Sequence, residues 1–265
     1  MLRTVAACIV GKIVVLLLRV LVRFSLVNII KEDPNDYHKP LILVNSYIKV
    51  RFSDVVRRLH EIGFDATQIV VVVGASPSER VFVTDTHVQV NVTHNSIDFT
   101  ALIAWLEHKE CIDESLGVTT KSMFYMHDTC MIGERFHTLL SQRFTHKTTR
   151  LVSNILFPLV KSCNMGIYSF EDILFTQDTL LRLKNNDLDR KALVNVKNVG
   201  FLMEDVVFNE IRTRNAYDLM FVPTGRIAGR THLYVPSLDL TKLQANISFE
   251  TIGIPIRFGS DTTVR

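Results

Sequence analysis

Residues 126–129 read Met-His-Asp-Thr and carry side chains that can bind a cation. They close a short apolar run, residues 123–126, which predicts a buried strand, so the polar residues are expected at the carboxyl end of that strand. A carboxylate in such a place can hold a divalent cation whose other ligands are water and diphosphate oxygens. Asp128 is therefore a candidate ligand, with His127 and Thr129 beside the cation. The alternative is a turn or a cap, where an Asp after a strand more often lies.

A pair of carboxylates, Glu204 and Asp205, follows an apolar stretch further along the chain. General-base catalysis needs one ionised carboxylate within hydrogen-bond reach of the hydroxyl that it deprotonates. If the segment is helical, the two side chains point in different directions, so at most one of them can be that base. The alternative is that both belong to the acidic first turn of a helix that continues through Val206, Val207 and Ile211.

A glycine and an asparagine in residues 164–168 form a further candidate contact. Gly166 at the edge of a strand would let the backbone approach a sugar closely, next to Asn164, although a plain strand turn has the same pattern. A literal D-x-D occurs at Asp187 and Asp189, but it lies in a polar run that is typical of a solvated loop.

The order of predicted elements indicates how these side chains are positioned. Residues 31–39 are polar and break a helix, so the domain is expected to start near Pro40. Apolar and alternating runs predict strands at residues 41–44, 68–73, 81–83 and 87–92. Helical spacing after a capping residue predicts helices from Ser53 to Gly63 and from Ser96 to about His108. Together they predict an α/β domain with an open, mostly parallel sheet and helices on both faces, whose ligands bind at the carboxyl ends of the strands.

Residues 124–130, with Gly133 and Phe136 after them, resemble the strand, the DxD-type motif and the following helix of GT-A glycosyltransferases. They also resemble a group of these enzymes in which His-Asp-Thr replaces the usual pair of aspartates. The end of the first strand, the turn at residue 74 and residues 95–100 come in the order in which such enzymes build their nucleotide-binding half. The resemblance covers about residues 41–140.

The resemblance implies a single GT-A-like (Rossmann-like) domain over residues 40–265. Its nucleotide-sugar-binding half would be residues 40–140, and its acceptor-binding half residues 141–265. It also implies that the basic, glycine-containing residues 224–232 close over the sugar donor as a flexible segment. The alternative for that segment is a hairpin that carries surface arginines.

The resemblance assigns a role to each candidate residue. The sugar donor would contact Asn45, Gly74, Asn95, Asp98, His127, Asp128, Thr129, Arg226 and Arg230. Asp128 and His232 would bind a metal ion, Mn²⁺ or Mg²⁺. Asp205 would be the general base, with Glu204 as a second catalytic or acceptor-binding group, and Asn164 and Gly166 would contact the acceptor.

The function implied is transfer of a sugar from a nucleotide diphosphate to a saccharide or glycoprotein acceptor, metal-assisted and inverting. The alternative is a non-catalytic protein that keeps the fold and binds nucleotide sugars or glycans, because the first aspartate of the motif is missing. A nucleotidyltransferase would usually show a glycine-rich, lysine-bearing loop near the first strand, which Asn45-Ser46-Tyr47 lacks. No P-loop, nucleophile elbow or dinucleotide fingerprint occurs in the sequence.

Charge and cysteine content narrow the classes of partner. The net charge of +3 is slight, and its excess lies in residues 1–31, so no basic face for nucleic acid is predicted. The four cysteines lie far apart without a zinc-type spacing.

The amino-terminal segment, residues 5–30, is almost wholly apolar. Lys12, Arg19 and Arg23 fall within an arc of about 40° when placed at helical spacing, which gives the predicted helix a cationic stripe. A helix lying in the membrane interface and a spanning signal anchor both fit, and a helix docked on the domain is the alternative. The sequence thus predicts a membrane-associated enzyme with a linker at residues 31–39.

Overall fold

The computed structural model describes residues 39–48, 52–154, 161–184, 207, 210–211, 219–227 and 230–245. Within them the chain forms a central sheet of eight strands and a second sheet of four. Helices flank the central sheet, and its middle strands are parallel. The α/β class and the largely parallel central sheet expected from the sequence are confirmed.

The strands are numbered in chain order. They are β1 Ile42–Tyr47, β2 Ile69–Gly74, β3 Arg80–Val83, β4 Val88–Asn91, β5 Ser122–His127, β6 Cys130–Ile132, β7 Arg150–Asn154, β8 Lys161–Ser169, β9 Leu219–Met220, β10 Val222–Ile227, β11 Arg230–Val235 and β12 Leu240–Ala245. The central sheet has the order β3-β4-β2-β1-β5-β8-β7-β9, and the second sheet has the order β10-β11-β12-β6. Strands β4, β2, β1 and β5 are parallel neighbours, whereas β3, β8 and β7 join the sheet by antiparallel pairs.

The middle of the central sheet is built from strands that are buried on both faces. All six residues of β2 and all six of β5 are buried, and β1 is buried up to Ser46. A near-continuous apolar run is typical of a parallel strand that is covered on both sides, and this explains why the sequence pattern predicted these strands correctly.

The helices pack against this sheet. They are α1 Ser53–Glu61, α2 Thr100–Leu116, α3 Phe136–Ser141, α4 Phe170–Phe175 and α5 Gln177–Lys184. Two helix N-caps expected from the sequence are not found in the structure. Ser53 is the first residue of α1 rather than its N-cap, and Ser96 makes no side-chain cap bond.

Helix α2 extends further than predicted. A single 3₁₀ turn, Ile97–Phe99, precedes it, and it continues to Leu116, where Gly117 ends it in a left-handed conformation (φ +69°). The predicted end at His108 coincides with a residue whose φ of −112° and ψ of 18° are not helical, so that the helix kinks there. The apolar periodicity of the sequence is interrupted at this kink, so the sequence predicts the helix end too early.

Two hydrophobic clusters lie on opposite faces of the central sheet. One packs α2, α4 and α5 against alternate residues of β1, β2 and β4, with Trp105 fully buried. The other packs α1, α3 and the second sheet against the intervening residues of β1, β2 and β5. Because β6 directly follows the 126–129 segment and pairs with β12, the second sheet lies next to the polar residues at the end of β5.

The predicted amino-terminal helix, residues 5–30, lies outside the described residues, as do Asp187 and Asp189. Among the helices that the structure describes, none combines the length and apolar character needed to cross a bilayer.

Candidate functional site

The carboxyl ends of β1, β2 and β5 meet at one edge of the central sheet. Asn45 pairs with His127 on one side and with Val72 on the other, and Tyr47 pairs with Gly74. The structure therefore has these residues at a common edge, as the sequence predicts.

Asp128 lies in the turn between β5 and β6 and is held by the end of β1. Its amide N–H donates to the carbonyl oxygen of Asn45 (3.1 Å), and its Oδ2 accepts from the Ser46 hydroxyl (2.7 Å). Burial raises the pKa of Asp128, the bond from Ser46 opposes this rise, and the negative charge of Asp98 adds to it. A nearby positive charge stabilises the ionised form of a carboxylate in this setting, because the charge offsets the lost hydration.

His127, the last residue of β5, is buried, with 6% of its surface exposed. Its Nδ1 lies 3.6 Å from Asp98 Oδ1, and its Nε2 lies 3.4 Å from the Tyr125 hydroxyl. Burial and, to a smaller extent, the charge of Lys242 lower the pKa of His127 to about 3, although Asp98 opposes both. His127 is therefore neutral at physiological pH and serves as a polar, uncharged wall of the site.

The low pKa of His127 predicts acid sensitivity. In the unfolded chain this histidine is protonated below about pH 6.5, whereas the folded protein keeps it neutral until about pH 3. Folding stability is thus fully present above pH 6.5 and falls as the pH drops toward 3. Between pH 7 and pH 5, we expect the wild type to lose roughly 2 kcal/mol of unfolding free energy more than His127→Gln does. Urea unfolding of both proteins at the two pH values measures this, and equal losses would contradict the assigned neutral state.

The segment before α2 supplies Asn95 and Asp98. Asn95 Oδ1 accepts from the N–H of Ile97 (3.0 Å), so this side chain shapes its own turn. The carbonyl oxygen of Asp98 accepts from the Tyr125 hydroxyl, and its carboxylate faces His127. The structure therefore brings Asp98 to the end of β5.

Asn45 and Gly74 pack this edge of the sheet against the start of α2. The side-chain amide of Asn45 donates to the carbonyl of Ile97 (2.9 Å) and accepts from the N–H of Ala101 (2.9 Å). A Cβ at Gly74 would lie 3.0 Å from Thr100 Cγ2, which is a tight contact. Both residues, predicted to bind the sugar donor, contact the start of α2 in the structure.

Thr129 links the site to the second sheet. Its carbonyl oxygen accepts from the N–H of Leu243 in β12 (3.1 Å), and the neighbouring Lys242 pairs with Cys130. Lys242 is a buried lysine, with 6% of its surface exposed, whose charge acts on both His127 and Cys130. Sequence reasoning missed Lys242, since a single lysine in an alternating strand gives no signal of burial.

The described residues of the basic segment 224–232 lie in β10 and β11, which pair antiparallel. Arg226 pairs with Thr231, and Arg230 pairs with Ile227, so both arginines lie in strands. His232 lies in β11, opposite Leu243 of β12. It therefore belongs to the sheet that continues from the Asp128 turn.

Asn164 lies close to His127, whereas Gly166 packs against a neighbouring strand. Asn164 is buried with a left-handed φ of +47°, and its backbone hydrogen-bonds to His127. A Cβ at Gly166 would lie 2.2 Å from the carbonyl oxygen of Arg150 in β7. The close approach that Gly166 permits is thus made by the chain itself.

No protein-family model and no curated protein matches the chain. The assignment of a function therefore depends on the site.

The predicted acidic pair, Glu204 and Asp205, lies outside the described residues. Just beyond it, residues 207, 210 and 211 are helical, and Val207 and Ile211 are buried. Glu210 accepts from the Thr179 hydroxyl of α5 (2.6 Å). These helical positions fit the alternative in which the two carboxylates precede a helix.

A metal ion at this edge would have few ligands from the protein. Among the residues that the structure describes, no three His, Cys, Asp or Glu side chains come together as ligands. Asp128 and the Ser46 hydroxyl offer oxygen atoms, and Asp98 lies close enough for its charge to act on Asp128. This donor set fits a hard cation that takes most of its ligands from water and from a bound diphosphate.

Proposed function

We propose that this chain is a nucleotide-sugar-dependent glycosyltransferase of the GT-A type, which transfers a sugar to a saccharide or glycoprotein acceptor with inversion. The observation that carries the proposal is the position of Asp128. It lies at the carboxyl end of a central parallel strand, bonded to Ser46 at the end of the neighbouring strand. Such an edge is where open α/β sheets bind nucleotides.

The electrostatics of Asp128 support this reading. Burial and the charge of Asp98 disfavour the ionised carboxylate, and a cation would reverse both effects. When bound, Mn²⁺ or Mg²⁺ would neutralise the charge that accumulates on the departing diphosphate. Asp128 is the proposed ligand, and His232, in the adjoining sheet, is the proposed second one.

The other residues of this edge are proposed to bind and orient the sugar donor and the acceptor. Neutral His127 and the Thr129 hydroxyl offer uncharged polar groups to the sugar donor, and Asn95 and Asp98 fix the loop that borders it. Arg226 and Arg230 are the proposed cations for the diphosphate. Asp205 is proposed to take the proton from the acceptor hydroxyl, with Glu204 beside it, because one ionised carboxylate is required there. Asn164 is the proposed acceptor contact, since it adjoins His127.

The apolar and cationic residues 5–30 are proposed to hold the enzyme at a membrane surface, as a monotopic or signal-anchor helix. Nucleic acid is not among the proposed partners.

A second candidate function is binding without catalysis. It is favoured by the buried, neutral His127, which stands where a first aspartate would be, and by the small donor set around Asp128. A protein of this kind would bind nucleotide sugars or glycans and release no nucleotide.

A screen of sugar donors tests the proposal. The wild-type protein should release nucleotide from one donor of a panel of nucleotide diphosphate sugars, in the presence of simple saccharide acceptors. We expect Mn²⁺ or Mg²⁺, added at about 1 mM, to raise the rate of nucleotide release at least about 10-fold over the rate in EDTA. Calorimetric titration with the same panel separates the two candidate functions. Binding without release favours the non-catalytic protein, and neither binding nor release with any donor would reject both.

A further inference from the structure

Ile97, at the border of the candidate site, has a left-handed backbone. Its φ is +53°, although it is a β-branched residue. Isoleucine rarely adopts this conformation, because its branched side chain then crowds the backbone. Residues in such conformations persist only where surrounding contacts hold them, and they are concentrated at binding and catalytic sites.

Two asparagines bond to Ile97, whose carbonyl oxygen also accepts from the nearby Thr100 hydroxyl (3.1 Å). Asn45 Nδ2 donates to the carbonyl oxygen of Ile97 (2.9 Å), and the N–H of Ile97 donates to Asn95 Oδ1 (3.0 Å). Asn95 is a near neighbour in sequence and belongs to the same turn. Asn45 is the long-range contact, and it also fixes the start of α2 through the N–H of Ala101 (2.9 Å).

Asn45 is anchored on a rigid element. It lies in β1, which has parallel partners on both sides, and it is 7% exposed. An amide held by such a strand keeps its position when neighbouring loops move. The bond to Ile97 therefore fixes the turn to the strand.

The residue after Ile97 is the one that reaches the site. The carbonyl oxygen of Asp98 accepts from the Tyr125 hydroxyl, and its carboxylate lies 3.6 Å from His127 Nδ1. If Ile97 relaxed to a negative φ, the following peptide would rotate and Asp98 would move away from His127. The conformation of Ile97 thus sets the distance between Asp98 and His127.

We infer that Asn45 is a positioning residue: it holds Ile97 in the left-handed conformation and so keeps Asp98 against His127, beside Asp128. The inference rests on the proposed function where it treats this edge as the sugar-donor site. It gives Asn45 a role through Asp98 in place of direct contact with the sugar donor.

Histidine NMR tests the positioning without any need for turnover. Protein labelled with ¹⁵N-histidine gives ring-nitrogen signals, and His127→Gln identifies those of His127. We expect Asn45→Ala to shift the His127 signals, because the Asp98 carboxylate leaves Nδ1. Adding Ile97→Gly should return them, since glycine adopts a positive φ without steric cost. The matched control, Ile97→Val in the Asn45→Ala protein, keeps the branched side chain and should leave the signals shifted.

Nucleotide release provides the second measurement. We expect Asn45→Ala to lower kcat/KM roughly 10- to 100-fold, and the added Ile97→Gly to recover most of that loss. If Asn45→Ala does not fold, Asn45→Asp replaces it, because aspartate keeps an acceptor for Ala101 but cannot donate to Ile97.

Unchanged His127 signals in the Asn45 variant would overturn the inference. So would a shift that glycine at position 97 leaves uncorrected. A wild-type protein without turnover would count against the proposed function alone, since the NMR comparison is made on the folded protein in the absence of substrate.

Discussion

Replacing Asp128 by asparagine should lower nucleotide release and sugar transfer at least about 100-fold while leaving the fold intact. Asparagine keeps the size of the side chain and can still contact the Ser46 hydroxyl, which lies 2.7 Å from Asp128 Oδ2. It removes the negative charge that is proposed to hold the metal ion over the diphosphate. The measurements are kcat/KM with the donor found in the screen, and thermal unfolding of both proteins.

Two further variants make the result specific. Asp187→Asn changes the literal D-x-D, which the sequence assigns to a solvated loop, and should leave kcat/KM within about 2-fold of the wild type, as expected for a surface residue. Ser46→Ala removes the hydroxyl that donates to the Asp128 carboxylate and should cost about 10-fold, because a hydrogen bond to a charged group contributes about 1.5 kcal/mol or more. Full activity of Asp128→Asn, or equal losses in Asp128→Asn and Asp187→Asn, would refute the role of Asp128.

The central sheet could be predicted because its strands carry their own signal. The apolar runs in β1, β2 and β5 are long enough to exclude an exposed strand and too short for a helix, and burial on both faces follows. The edge at which they end, and therefore the placement of Asp128, followed from the parallel order alone. For these strands, the local sequence pattern and the position in the sheet agree.

The contacts within the edge could not be predicted in the same way. Asn45 was expected to face the sugar donor, and its bonds to Ile97 and Ala101 depend on a loop that is distant in sequence. No local pattern reports that an isoleucine will adopt a positive φ, since the sequence signal for that conformation is glycine or asparagine. The burial of Lys242 could not be predicted from local sequence either, because it arises from the pairing of β12 with the distant strand β6.

The pairing of β10 with β11 could not be predicted from composition. Thr231 pairs with Arg226 and His232 pairs with Gly225 in an antiparallel ladder, whose register shifts between Pro223 and Gly225. Glycines and basic residues carry little strand signal of their own, so this pairing depends on the neighbouring strands.

Gly166 is a position where a single methyl group should damage the fold. It lies in β8 opposite Leu151 of β7, where the register of the two strands shifts. A Cβ would lie 2.2 Å from the carbonyl oxygen of Arg150 and 3.0 Å from Leu151 Cα, both of them backbone atoms that cannot turn away as a side chain would. We expect Gly166→Ala to lower the unfolding free energy by roughly 3 kcal/mol or more, because one of the two strands must move.

Gly117→Ala is the matched control for this prediction. Gly117 also has a positive φ, +69°, but nothing lies within 4 Å of a Cβ there. Alanine at this position meets a left-handed penalty of about 1 kcal/mol without a clash, whereas alanine at position 166 meets both a φ of +155° and the backbone of β7. Urea unfolding gives both values, and a Gly166→Ala cost no larger than that of Gly117→Ala would contradict the strand contact. Such a result would leave the space above Gly166 open to the acceptor, as the sequence predicted, whereas a large cost assigns this glycine to the packing of β7 on β8.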